Sequence, residues 1–269
     1  MLEPKKVFFI FTEGVKTEQL YFQQLSIHEK LREDIVIRVM NRSISNEHNS
    51  NQLKLVQILK TYINKVKGLN VEDIKKLKEE MNETNYENAN LNDILEAYKL
   101  TQLLENKLID SKEELKSQFE SLLSISEYNE GFDEISIVID RDRQSFKENQ
   151  YDEVLKIVEE NNFYLYVTNP NFELFLLLHL KNLDKCDQEE YLKNAKVTRK
   201  KKMLEVELNE ECEKLDANYK KNRYDPLIFI ERLEKGKLNA QSFAIDNKAL
   251  KYNFGTSVFN LIDKLVKFE

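Results

Sequence analysis

Carboxylate side chains follow two strongly apolar segments of this sequence, at the point where each segment ends. Glu13 comes directly after Val7–Thr12, and Asp140 closes the segment Ile135–Asp140, with Asp142 two residues further on. Residues i and i+2 of an extended chain point the same way, so Asp140 and Asp142 would repel each other unless a cation or proton separated them. With Glu13 they would form an all-oxygen site that suits Mg²⁺, or Mn²⁺ as an alternative. Such a site predicts phosphodiester hydrolysis or transfer, because a bound metal ion polarises a phosphoryl oxygen and activates water.

An alternation of strands and helices would bring these acids together. We predict strands at Val7–Thr12, Ile35–Met40, Ile135–Asp140 and Phe163–Pro170, with a helix from Glu18 between the first two. Strands that alternate with helices favour a mostly parallel sheet, and such sheets bind ligands outside the carboxyl ends of their strands. The sequence therefore predicts an α/β fold with the acids at one edge of the sheet.

Four further side chains near these strand ends are weaker candidates. Glu18 opens the first helix, and Glu173 lies in the first turn of a largely apolar helix at Asn171–Leu180. Both could approach the site, although pairing with the helix dipole explains their positions equally well. Arg141 and Arg143 would either bind a phosphate group or offset the charge of the neighbouring aspartates.

A basic segment, Lys196–Lys202, has two interpretations. Because an acidic run follows it, the favoured one is a solvated helix with ion pairs between residues four apart. The alternative is a strip in which Lys200, Lys201 and Lys202 contact substrate phosphates. The net charge of −7 argues against a general nucleic-acid-binding surface, but local patches decide such binding.

Composition limits the class of protein. None of the apolar runs approaches the ~20 residues that a membrane span needs, and no secretory signal is visible. Cys186 and Cys212 lack the spacing of a zinc site or a disulfide framework, which favours a reducing cytoplasm. His179 is interpreted as a packed histidine. The common phosphate-binding loops, the HExxH motif and the GxSxG motif are all missing from the sequence.

Most of the remaining sequence has helical periodicity. Residues 43–130 are predicted to form a helical insertion that serves for spacing or for oligomer contacts. Its helices are expected at Leu53–Val66, Val71–Met81, Leu91–Ile109 and Glu113–Ile125. After the helix Asn171–Leu180, the C-terminal region is predicted to be helical at Gln188–Ala195, Lys200–Lys220, Pro226–Lys235, Gln241–Leu250 and Thr256–Phe268.

Four segments occur in an order that resembles the RloB-like family, an Abi-type phage-defence group with a Toprim-like fold. They are Thr12–Phe22 (TEGVKTEQLYF), Ile139–Asp142 (IDRD), Asn169–Leu180 (NPNFELFLLLHL) and Asn253–Leu265 (NFGTSVFNLIDKL). The third is the most specific of them. The sequence departs from the family pattern at Phe175, where tryptophan is common, and at Phe254–Gly255, where Pro-Ser is more usual.

The resemblance implies a Toprim-like core of residues 1–42 and 131–269. Glu13, Asp140 and Asp142 match the positions at which such domains hold Mg²⁺, and the glutamate can also act as general acid or base. The resemblance also implies a nucleic acid substrate, RNA or DNA, and an ATPase partner. The first hypothesis is therefore a Mg²⁺-dependent nuclease, the effector of bacterial antiphage abortive infection. The alternatives are a non-catalytic module that regulates an ATPase partner, and a nucleotidyl transferase that makes a signal molecule.

Overall fold

The computed structural model describes residues 3–14, 16–40, 52–67 and 127–268, and the isolated positions 90, 92, 93, 96, 111 and 125. Strands and helices alternate through the first two thirds of the described chain. The strands are β1 Lys6–Thr12, β2 Ile35–Met40, β3 Glu134–Asp140, β4 Tyr164–Asn169 and β5 Gly255–Thr256. The helices are α1 Thr17–Ser26, α2 Gln52–Lys67, α3 Glu148–Glu160, α4 Phe172–Leu180, α5 Gln188–Lys193, α6 Met203–Glu213, α7 Leu227–Ile230, α8 Leu233–Ala240, α9 Asn247–Leu250 and α10 Val258–Leu265.

These strands form one sheet in the order β2-β1-β3-β4-β5. The pairs among β1 to β4 are parallel, and the short strand β5 joins β4 in the antiparallel direction. In the register, Thr12 lies opposite Val138 and Asp140 lies opposite Thr168. The predicted α/β fold is therefore confirmed. Since β1 and β3 are neighbours, the acids that follow them meet at the same edge.

Helices cover both faces of the sheet because the central strands are apolar on both sides. Phe8 and Ile10 of β1 belong to the cluster that contains α1 and α4. Phe9 and Phe11 point the opposite way, into the cluster with α2 and α3. This double burial holds the carboxyl ends of β1 and β3 in fixed positions beneath the acids.

The first helix of the predicted insertion is part of this core. Leu55, Val56, Leu59 and Ile63 of α2 pack in the same cluster as Phe9. The predicted helices at residues 71–81, 91–109 and 113–125 lie outside the described residues, apart from the isolated positions given above. Within the described part of the chain, no helix has the length and apolar character that crossing a membrane requires.

The C-terminal region is less helical than its sequence predicts. Lys196 and Lys202 form an antiparallel bridge, so the basic segment is a hairpin, and the interpretation as a solvated helix is wrong. Thr198 stabilises the hairpin by accepting hydrogen bonds at Oγ1 from the Lys200 and Lys201 N–H groups. The predicted helices Lys200–Lys220 and Gln241–Leu250 shorten to α6 and α9. The hydrogen bonds of the Thr198 hydroxyl turn the chain within the basic segment, which explains why α6 begins only at Met203.

Candidate active site

Glu13 is fixed to the end of the neighbouring strand. Its N–H donates to the Val138 carbonyl at 3.0 Å, which continues the pairing of β1 with β3. Its carboxylate Oε2 accepts a hydrogen bond from the Asp140 N–H at 3.0 Å, and Oε1 accepts one from Gln52 Nε2 at 2.9 Å. Glu13 and Asp140 are thereby held as one unit, and α2 contributes to their support.

Asp140 connects this pair to the start of α4. Its Oδ1 accepts a hydrogen bond from the N–H of Phe172, the first residue of that helix, at 2.8 Å. The helix dipole favours a negative charge at this position. Burial and the nearby acids, Glu13 first and then Glu18 and Glu173, nevertheless hold the pKa of Asp140 well above its usual range. An added cation would therefore stabilise the ionised form.

Glu18 and Glu173 complete a group of four acids that line one cleft of about 230 Å³. Burial raises the pKa of Glu18 to about 7, and the charge of Glu173 acts in the same direction. Gly14 gives this side chain its space, because a Cβ there would lie 2.0 Å from Glu18 Oε2. The structure thus brings Glu13, Asp140, Glu18 and Glu173 together at one edge of the sheet, as the strand order predicts.

Asp142 is placed differently from the other predicted acids. It is not among the residues that line the cleft, and its Oδ2 lies 3.3 Å from Lys202 Nζ in an ion pair. Its Oδ1 accepts a hydrogen bond from the Gln144 N–H at 3.2 Å. The basic hairpin of residues 196–202 therefore lies beside Asp142, with Lys200 exposed and Lys201 partly exposed. Asp142 would have to leave Lys202 in order to join Glu13 and Asp140.

The two predicted arginines have different surroundings. Arg141 is 1 % exposed, and its guanidinium donates to the carbonyls of Lys251 and Phe146. This burial favours a structural role that fixes the loop after β3, and it leaves no surface for the predicted substrate contact. Arg143 is exposed and lies over the ring of Tyr252, 6.0 Å from its centroid. Arg143 thus remains accessible to a substrate.

Lys221 belongs to the cleft, although the sequence does not single it out. Its Nζ lies 3.1 Å from Glu173 Oε1, and it lines the cleft together with Lys16 and Asn222. The charge of Glu173 raises the pKa of Lys221 above its usual value. The sequence feature that could have identified Lys221 is the short basic stretch of residues 220–223. This stretch is less prominent than the longer basic segment Lys196–Lys202.

Thr17 holds the segment around Lys221 in place from the first turn of α1. Lys16 occupies the N-cap position of α1, and Thr17 is the first helical residue. The Thr17 hydroxyl donates to the Lys221 carbonyl, and the Thr17 carbonyl accepts a hydrogen bond from the Tyr224 hydroxyl at 2.7 Å. The segment around Lys221 is therefore attached to the start of α1.

Replacing Tyr224 by phenylalanine should weaken this attachment. We expect the free energy of unfolding to fall by about 1 kcal/mol, the usual net value of one hydrogen bond. Denaturant titration measures this change. Tyr252→Phe is a matched control, because the Tyr252 hydroxyl donates to Glu148 at an exposed site. Equal losses in the two variants would contradict the assigned role of the Tyr224 hydroxyl.

Comparison with known proteins agrees with the motifs of the sequence. The protein-family model described as RloB-like protein matches residues 8–265, nearly the whole chain. The chain belongs to the RloB-like family. The matched span of this family member includes residues 43–130, the predicted insertion. No curated protein and no solved structure matches the chain.

The cleft of this RloB-like protein has the ligand atoms that suit a hard divalent cation. Its four acids supply only carboxylate oxygens, which Mg²⁺ and Mn²⁺ prefer, and their mutual repulsion favours an added cation. Within the described part of the chain, no group of three or more histidine, cysteine, aspartate or glutamate side chains has an arrangement that could hold one metal ion. Glu13 and Asp140, which are directly hydrogen-bonded, are the best placed to hold it.

Proposed function

We propose that this chain is a metal-dependent nuclease that hydrolyses phosphodiester bonds in RNA or DNA, as the effector of a bacterial antiphage abortive-infection system. One observation carries the proposal: four carboxylates and two lysines line a single cleft at the carboxyl ends of parallel strands. Membership of the RloB-like family supports the setting in phage defence.

Glu13 and Asp140 would hold Mg²⁺ or Mn²⁺ in this cleft. When bound, the ion would polarise the phosphoryl oxygen and lower the pKa of a water molecule. Glu18 and Glu173 extend the negative potential that attracts the ion, and the hydrogen bond from the Phe172 N–H keeps the Asp140 carboxylate in position. Asp142 would join them only after it separates from Lys202.

Basic side chains around the acids would bind the nucleic acid backbone. Lys16 lines the cleft itself, while Arg143, Lys200 and Lys201 lie towards Asp142 and Lys202. Lysine and arginine supply most of the sequence-independent affinity for phosphates. A chain with an overall charge of −7 can thus bind a polyanion locally.

The proposal is tested in bacteria that express the wild-type chain or the double variant Glu13→Ala/Asp140→Ala. Both are compared with and without phage and a candidate ATPase partner, and the ends of total RNA and DNA are sequenced. We expect new ends that require both acids, because the two carboxylates hold the proposed ion. These ends would also identify the substrate.

The matched control is the variant Glu29→Ala/Glu33→Ala, which removes two exposed acids outside the cleft. It should give the same ends as the wild type. If the wild type and the Glu13/Asp140 variant protect equally and leave no new ends, a non-catalytic module that regulates an ATPase replaces the proposal. If nucleotides are converted to a new product and nucleic acids stay intact, the chain is a nucleotidyl transferase.

A further inference from the structure

Lys221 lies at the tip of a tight hairpin that reaches the acidic cleft. The Lys220 N–H donates to the Arg223 carbonyl at 3.2 Å, and the Arg223 N–H donates to the Lys220 carbonyl at 2.8 Å. Lys221 and Asn222 therefore form the two-residue turn, and both line the cleft. Lys220 and Arg223 instead line a separate groove of about 670 Å³. The hairpin thus directs one lysine into the cleft and a second lysine away from it.

Contacts on both sides fix the tip of this hairpin. The Lys221 carbonyl accepts a hydrogen bond from the Thr17 hydroxyl at the start of α1. The Tyr219 hydroxyl, at the base of the hairpin, donates to Glu173 Oε1 at 3.3 Å in the first turn of α4. These contacts hold the backbone of the hairpin between two helix starts, and the ion pair with Glu173 at 3.1 Å places the half-exposed Lys221 side chain at the cleft.

The four acids of the cleft divide into two pairs. Glu13 and Asp140 are joined by the hydrogen bond between Glu13 Oε2 and the Asp140 N–H, and Glu13 is the acid that acts most strongly on Asp140. Glu18 and Glu173 form the second pair, since they line the cleft from the first turns of α1 and α4, and the charge of Glu173 acts on Glu18. Lys221 Nζ lies 3.1 Å from Glu173 Oε1 in this second pair.

We infer that the Lys221 ammonium is the permanent cation of the Glu18–Glu173 pair, so that the cleft holds one divalent ion, at Glu13 and Asp140, and not two. The inference rests on the metal site of the proposed function. A second divalent ion at Glu18 and Glu173 would lie beside the ammonium that is paired with Glu173, and like charges at such a distance repel strongly. Lys221 thereby limits the number of ions in the cleft.

The test counts Mn²⁺ ions bound to the full chain without substrate, by calorimetric titration and by electron paramagnetic resonance. We expect one ion in the wild type. Lys221→Met should bind two, and the second should give the spectrum of a spin-coupled pair. Lys220→Met is the matched control, because it removes a lysine of the same hairpin that lines the other groove; it should bind one. Lys221→Arg keeps the positive charge and should also bind one.

Further variants and outcomes keep the inference separate from the nuclease proposal. Adding Glu173→Gln to Lys221→Met should return the count to one, since the second pair then loses an acid. Two ions in the wild type would overturn the inference, and this outcome does not depend on the folding of any variant. So would one ion in a Lys221→Met chain whose melting temperature matches that of the wild type. A change from one ion to two without any cleavage of nucleic acid would support the inference and count against the nuclease. No bound ion in any variant would overturn both.

Discussion

Replacing Asp140 by asparagine is expected to lower metal-dependent cleavage by about a thousandfold, because a bound metal ion contributes several kcal/mol to catalysis. Asparagine keeps Oδ1 as an acceptor for the Phe172 N–H but loses the charge that would hold the ion. Single-turnover cleavage with Mg²⁺ measures the effect. A wild-type rate would show that the site is assigned wrongly.

The same variant should remain folded without metal. Burial and neighbouring acids hold the pKa of Asp140 above its unfolded value, so ionisation at neutral or alkaline pH destabilises the folded state. Asparagine does not ionise, so its melting temperature at pH 8 with chelator should equal or exceed that of the wild type. The increase in melting temperature on adding Mg²⁺ should disappear, since that increase depends on binding to the folded state.

Asp142→Asn is the matched control for Asp140→Asn. The Asp142 carboxylate is paired with Lys202 Nζ at 3.3 Å and does not line the cleft. If this arrangement persists with substrate bound, the variant should lose less than about tenfold in rate, as expected for a group whose loss removes little transition-state stabilisation. Equal losses in the two variants would mean that Asp142 leaves Lys202 and joins the ion, as the family resemblance implies.

Protonation of His179 is expected to destabilise the protein by about 3 kcal/mol between pH 7 and pH 4, at 1.36 kcal/mol per pKa unit. Nδ1 donates to the Phe175 carbonyl at 2.8 Å, while buried Nε2 has no hydrogen-bond partner in the described structure. Protonation would place an unpaired N–H and a charge among the rings of Phe175, Phe229 and Phe259. Burial therefore lowers the pKa of His179 from 6.5 to about 4.

The direction of this pH effect follows from the two pKa values. Above pH 7 the imidazole is neutral in both states and contributes nothing. As the pH falls through 6.5 the unfolded chain binds the proton first, so stability is lost down to about pH 4 and is then constant. Denaturant titrations from pH 8 to pH 4 should show a smaller loss in His179→Leu than in the wild type. Parallel slopes in the wild type and His179→Leu would contradict the assignment.

The sheet and the position of its acids could be predicted from the sequence because their signals are local. Continuous apolar segments are typical of central parallel strands, and the predicted strand at Ile35–Met40 coincides with β2. Glu13 and Asp140 follow such strands directly, so the strand order alone places them at one edge. Glu18 and Glu173 begin helices at the same edge, which periodicity also indicates.

The C-terminal region could be predicted only in part, because its elements are short and their ends depend on side-chain contacts. Thr198 turns the chain at a basic segment whose charges suggested a helix. Only four residues of the predicted helix at 241–250 form α9, which starts where Asp246 accepts hydrogen bonds from the Lys248 and Ala249 N–H groups. Such local bonds decide where a turn forms and where a short helix begins, and periodicity does not report them.

The sequence by itself determined the α/β order, the family and the acids that follow β1 and β3, since each depends on residues close together in the chain. Only the tertiary structure decided which charges face one another. It pairs Lys221 with Glu173, which lies 48 residues earlier in the chain, and it pairs Lys202 with Asp142. It also buries Arg141. These pairings depend on how distant helices and hairpins pack, because the strength of an ion pair follows from distance and burial and not from separation along the chain.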